Sequence, residues 1–319
     1  HGSVRGARGN DPNQIHLRIG GGGLVCRRRP ADGRGDSFAS SHPFGRAIPP
    51  PHRFSRPFAF APAPATPTPA PVRPAVVGDY SGDGTSDIAV FDPSSGLWVV
   101  RGCTRAYFGA AADRIVPRDY TGDGTWEFAV YRPFLGKWMI RGYTSLFYGC
   151  ATDLAVPSDY DGDGTADIAL FRPGTAKWLV RGRAPIYFGM SSDTVVPGDY
   201  DGDGTADPAV FRPSIGKWMA GSGLQVYHGT AADTVVPGDY TGDGTWNCAV
   251  FRPSSGRWLV RDGPSAYWGG EADTVQPADY DGDGTWDLAV FRSSVGRWLV
   301  RGRTGVYFGT SADLPATNP

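Results

Sequence analysis

From residue 79 onward, apolar and polar positions repeat with a fixed step. The pairs Asp79-Tyr80, Asp119-Tyr120, Asp159-Tyr160, Asp199-Tyr200, Asp239-Tyr240 and Asp279-Tyr280 recur every 40 residues without an insertion or deletion. Nineteen residues after each Asp stands a tryptophan (Trp98, Trp138, Trp178, Trp218, Trp258, Trp298), and thirty residues after it a glycine, from Gly109 to Gly309. A period of this length, with aromatics and turn glycines in phase, marks a supersecondary unit that must stack on its neighbours to bury its faces. In the third copy the pattern predicts four short strands, 154–159, 167–172, 177–181 and 185–188, separated by Gly, Pro and Asp turns. The second of them reads Asp167-Ile168-Ala169-Leu170-Phe171. It is apolar on both faces, as a strand is when its sheet lies between two other sheets. Six units of four strands predict an all-β, six-bladed β-propeller over residues 74–319. A parallel β-helix suits the pattern less well, because its coils are shorter.

Composition agrees and adds a boundary. The 46 Gly, 28 Pro and 10 Trp among 319 residues argue against helical bundles. No stretch approaches the length of apolar sequence that a membrane helix needs. Residues 1–73 differ from the rest: they contain Gly20 to Gly23, Arg27 to Arg29 and the alternating Ala/Pro/Thr run 61–71, and they carry a net charge of +8 against −9 for the remainder. The run is expected to be polyproline II, an extended Pro/Gly/Arg-rich tail that cannot form a core. Thr66 and Thr68, set between prolines, are candidate O-glycosylation sites. Phe54, Phe58 and Phe60 are candidate anchors through which the tail of one subunit would dock on another, giving a homo-oligomer or filament. Without aromatic-basic interleaving on a defined element, the basic charge reads as a solvated tail, not a nucleic-acid site.

The candidate chemistry lies in the loop between the first two strands of each copy. In copy three it reads Asp159-Tyr160-Asp161-Gly162-Asp163-Gly164-Thr165-Ala166-Asp167. Carboxylates fall at positions 1, 3, 5 and 9, and Thr165 at position 7 offers a backbone carbonyl. Calcium takes six to eight hard oxygens, and alternate residues of a tight, glycine-permitted turn aim their oxygens inward. An EF-hand is excluded, since position 12 carries Val90, Val130, Leu170, Val210, Val250 or Val290 in place of a chelating Glu. Six such loops stand in register, and carboxylates crowded within one turn repel one another unless a cation neutralises them.

The candidate ligand sets are not equal. Copies three, four and six are complete: Asp159, Asp161, Asp163, Thr165 and Asp167; Asp199, Asp201, Asp203, Thr205 and Asp207; Asp279, Asp281, Asp283, Thr285 and Asp287. Copy one has Asp79, Ser81, Asp83, Thr85 and Asp87, and copy two has Asp119, Thr121, Asp123, Thr125 and Glu127. Copy five has Thr241 at position 3 and keeps Asp239, Asp243, Thr245 and Asn247, so it is expected to bind weakest.

Together with Phe171-Arg172-Pro173 and Phe188-Gly189, the Asp-x-Asp-Gly-Asp-Gly loop resembles the FG-GAP/VCBS repeat propellers, a family that includes the integrin α-subunit head and many bacterial surface proteins. The resemblance covers about residues 74–315. It implies a calcium-stabilised extracellular propeller used for adhesion or as a scaffold. Some similar propellers are lectins, which makes carbohydrate an alternative partner; an accessory domain of a larger secreted protein is a further reading.

The remaining residues refine these expectations. The phased tryptophans are expected to pack between blades. Trp126, Trp246 and Trp286 stand beside the ion loop in only three copies and are candidate ligand-binding aromatics. Arg132, Arg172, Arg212, Arg252 and Arg292 are expected to pair with the phased Asp153, Asp193, Asp233, Asp273 and their equivalents. Cys248 replaces an apolar residue and should be buried. The five His (His1, His16, His42, His52, His228) form no phased base and nucleophile, so no enzymatic activity is expected.

Overall fold

The computed structural model describes residues 76–303 and 305–317. All of these belong to one unit, and the expectations placed on Phe54, Phe58, Phe60, Thr66 and Thr68 lie outside the described residues.

This unit is an all-β propeller of six four-stranded antiparallel sheets. The third blade is representative: its strands are Leu154–Ala155, Ala169–Arg172, Lys177–Val180 and Ile186–Tyr187, paired in sequence order with Phe171 opposite Trp178 and Trp178 opposite Ile186. The outer members are shorter than the apolar pattern suggests. The loop carboxylates draw the backbone of residues 159–166 into turns, leaving a single bridge from Ser158 to Asp167 beyond the first strand.

Burial explains the pattern. The first three residues of every second strand are buried, so both of its faces are covered as the sequence predicts. The six phased tryptophans are at most 1% exposed. Each donates its indole N–H to the carbonyl ten residues later, from Trp98 to Phe108 through Trp298 to Phe308, at 2.8–3.1 Å. A large apolar ring therefore fills the space between sheets without leaving its one polar atom unpaired. Trp138 packs with Leu170 of the next blade, Trp258 with Val290, and Trp298 with Val90 of the first, so the core is a closed ring of inter-blade clusters.

The ring is closed by the end of the chain. Leu314–Pro315 supplies the first strand of the first blade, pairing with Ala89–Asp92. Thr317 locks the join, its hydroxyl donating to the Asp87 carbonyl at 2.6 Å and accepting from the Ala89 amide at 3.2 Å.

The phased arginines form forked pairs as expected. Arg132, Arg172, Arg212, Arg252 and Arg292 meet Asp113, Asp153, Asp193, Asp233 and Asp273, with Nε to Oδ1 at 2.6–2.9 Å and Nη2 to Oδ2 at 2.8–2.9 Å. Among the described residues, no helix is long and apolar enough to cross a membrane.

Candidate metal centres

The acidic loops begin where the first strand of each blade ends. The position-1 carboxylate shapes the turn: Asp159 accepts the Gly162 amide at 2.6 Å and the Gly164 amide at 2.8 Å, and its counterparts in the other five loops do the same. These bonds require the glycines to take φ of +73 to +78° at position 4 and +84 to +88° at position 6, a region that side-chain-bearing residues enter at a cost. At position 5, Asp163 accepts both the amide and the hydroxyl of Thr165, and this pairing recurs in all six loops.

The loops are joined to each other. The position-8 amide of each donates to the position-1 carbonyl of the preceding loop at 2.6–2.7 Å, from Trp126 to Asp79 around to Ser86 and Asp279. The position-4 glycine also abuts the next loop's threonine; a Cβ on Gly82 would lie 2.9 Å from Thr125 Cγ2, and one on Gly282 would lie 3.1 Å from Thr85 Cγ2. The six loops thus form one continuous ring.

Four loops bring at least three carboxylates together, with ligand atoms within 4.8 Å of one another: Asp119, Asp123 and Glu127; Asp159, Asp161 and Asp167; Asp199, Asp201 and Asp203; Asp279, Asp281 and Asp287. The first and fifth loops form no such group among the described residues. In the fifth, Asp239 and Asp243 are joined only by the neutral Asn247, whose Oδ1 accepts the Tyr240 amide. In the fourth, Asp207 is drawn aside by the Ser222 amide and hydroxyl, at 2.9 and 2.7 Å. Arg183 and Arg303 approach Asp161 and Asp281 at 3.7 and 3.8 Å, so one cation already partly offsets the third and sixth groups.

Electrostatics separates the positions. Burial pushes the position-9 carboxyls of Asp87, Glu127, Asp167 and Asp207 above the ordinary range, and that of Asp287 up to about 6, with Asp281 and Asp279 adding to the shift at Asp287. The threonine bonds hold Asp83, Asp123, Asp163, Asp203, Asp243 and Asp283 below it. An all-oxygen anionic set with one destabilised carboxylate fits a hard divalent cation.

The structure places Trp126, Trp246 and Trp286 differently from the loop surface anticipated for them. Trp126 is buried edge-on against Tyr80, with the Arg118 guanidinium 4.6 Å from its ring centre. Trp246 and Trp286 are half-buried, pack on Tyr200 and Tyr240 of the preceding blades, and meet each other at 5.3 Å. Their rings lie over Gly198 and Gly238, where any Cβ would come within 2.2 Å, so these aromatics occur where the neighbour is glycine.

A set of rings not singled out by the sequence reading is instead exposed. Tyr107, Phe147, Tyr187, Tyr227, Tyr267 and Tyr307, all at one position of the fourth strand, are 66–74% exposed. Their constant 40-residue phase was the available signal, but the outward side of an edge strand cannot be told from an inward one by periodicity alone.

No protein-family model matches the chain, and no curated protein does. Among solved structures, the chain is similar to BBS1N crystallised in complex with ARL6DN, at 14% identity over 72% of this chain and 80% of that one, with a TM-score of 0.44. It is also similar to an Agrocybe aegerita lectin described as recognising non-reducing terminal N-acetylglucosamine, at 17% identity over 75% of this chain and 79% of that one, with a TM-score of 0.43.

Proposed function

We infer that this chain is a non-enzymatic, calcium-stabilised propeller of the FG-GAP/VCBS kind that works outside the cell as an adhesion or structural scaffold. The observation that carries the reading is the continuous ring of acidic loops, each bonded to the next through the backbone of its position-1 aspartate. A cation held there ties neighbouring blades as well as neutralising one loop. Calcium sites of extracellular modules have Kd values of about 0.1–1 mM, too weak to fill at cytosolic levels. With free calcium at about 2 mM and a Kd of about 0.1 mM, each site contributes roughly 1.8 kcal/mol, and four give about 7. That is comparable to the stability of a whole domain.

Calcium titration of ion-stripped protein, with thermal melts alongside, tests this. The expected result is three to four bound ions and a melting temperature that falls by more than about 10 °C on chelation. An unchanged melt overturns the reading. Assembly through residues 1–73 belongs to the same proposal; if a chain lacking residues 1–60 sizes like the full chain, that part fails.

A carbohydrate-binding reading is favoured by the exposed rings of the fourth strands, a repeated aromatic surface in which five rings, all but Tyr107, carry a Lys or Arg of the third strand at 5.3–5.8 Å. In a glycan array run with calcium present, specific binding lost on Tyr187→Ala and Tyr227→Ala would select it.

A further inference from the structure

The arginine-aspartate pair that recurs at five blade junctions is missing at the sixth. Asp313 has the phase of Asp113, Asp153, Asp193, Asp233 and Asp273, but the position facing it holds Asp92 where the other blades have arginine. The neighbouring position, Lys or Arg in the other five blades, is Leu97 in this one. The junction has therefore lost two cations and gained an anion.

A cavity of about 340 Å³ lies there, lined by Val90, Asp92, Leu97, Val99, Phe308 and Asp313 among others. Asp92 is turned onto the hydroxyls of Ser94 and Ser95. Asp313 keeps the backbone bond of its counterparts, accepting the Thr310 amide on Oδ2 at 2.7 Å. Among the described residues nothing donates to its Oδ1, the atom that receives arginine Nε at the other junctions.

We propose that this cavity binds the guanidinium of an arginine side chain carried by a partner peptide, with Asp313 accepting the fork that Arg132 and its four equivalents supply elsewhere within the chain. A guanidinium matches a carboxylate presented in this way through two parallel N–H bonds, which an ammonium cannot make. The walls formed by Val90, Leu97, Val99 and Phe308 suit the methylene stem. Asp92 adds a second negative charge, so the occupant is cationic. The inference is independent of the calcium reading.

The test is titration of the full chain, in excess calcium, with Nα-acetyl-arginine methylamide, followed by calorimetry and NMR. One saturable site is expected, with the uncharged citrulline analogue and the lysine analogue each binding at least tenfold more weakly. Asp313→Asn should weaken binding at least tenfold. Asp92→Arg, which restores the internal pair, should abolish binding and raise the melting temperature. Absence of saturable binding, equal binding of the lysine analogue, or undiminished binding to either variant overturns the proposal.

Discussion

The carboxylates of one loop are held in opposite ways, and this has a consequence for pH. Asp287 sits above its ordinary range mainly because it is buried, with the repulsion of Asp281 and Asp279 added and the Tyr280 amide and Arg303 opposing. Its folded-state value of about 6 exceeds the 3.8 of a free aspartate, so between these values the folded chain holds a proton that the unfolded chain has released. Its contribution to stability is full below the lower value and is lost as the pH rises through about 6. The position-5 aspartates shift downward, so their stabilisation is lost only in acid below the free value and does not enter the same window. Ion-stripped protein should therefore melt at a higher temperature at pH 5.5 than at pH 7.5, and saturating calcium should remove that trend by holding the carboxylates ionised. Melts across pH 5–8 check this; a stripped protein that loses stability steadily towards acid would contradict it. That the loop gathers carboxylates was legible in the sequence, because acidic residues at alternate positions of a glycine-permitted turn come to face one another. The diversion of Asp207 by Ser222 was not, because Ser222 lies fifteen residues away and its reach is a product of the fold.

Between the second and third strands of each blade the chain turns through a left-handed residue, and there the blades differ. Gly136, Gly216, Gly256 and Gly296 take φ of +60 to +65°, whereas the third blade places Ala176 at +48°, its amide still donating to the Pro173 carbonyl. A Cβ in this region costs about 1–2 kcal/mol, and the extra freedom of unfolded glycine offsets about 0.4–1 of that. Ala176→Gly should thus stabilise the protein by roughly 0.5–1 kcal/mol, seen as a higher denaturant midpoint with an unchanged slope. A lower midpoint would show that the Ala176 methyl, which packs against the third-blade core, outweighs the strain. At this scale the number and order of strands could be read from the apolar pattern, since a doubly buried second strand and a phased tryptophan every 40 residues suit four-stranded blades better than the shorter coils of a β-helix. The ends of the strands could not. Whether residues 159–166 extend the ladder or fold into a turn depends on hydrogen bonds to Asp159, which the apolar pattern does not encode.

Whole-molecule stability rests on where the ring is cut. A 40-residue period says that six equal units exist, but it has no phase information about which end of the chain supplies the missing strand of the first blade. The structure uses Leu314–Pro315. Beyond that pair, the Ala316 amide donates to the Ala89 carbonyl at 2.8 Å, the Tyr80 hydroxyl donates to the Ala316 carbonyl at 2.6 Å, and Ala316 and Thr317 are wholly buried. A chain ending at Ala312 would leave the Ala89 amide and carbonyl and the Tyr80 hydroxyl without these partners and would open the aromatic cluster of Tyr80, Trp126 and Phe128. Each unsatisfied buried group costs about 1–3 kcal/mol, so the truncation should destabilise by roughly 4–8 kcal/mol. It should also split the melt, because a ring without its closing strand becomes an open array in which blades bear only on their neighbours. The acidic group of the sixth loop, whose Asp279 carbonyl accepts the Ser86 amide of the first, should then bind added calcium more weakly than the other three groups. A chain ending at Thr317 retains every one of these bonds and should melt like the full protein. Thermal unfolding followed by tryptophan fluorescence distinguishes the two, and equal, single transitions for both truncations would show that the ring does not depend on this closure.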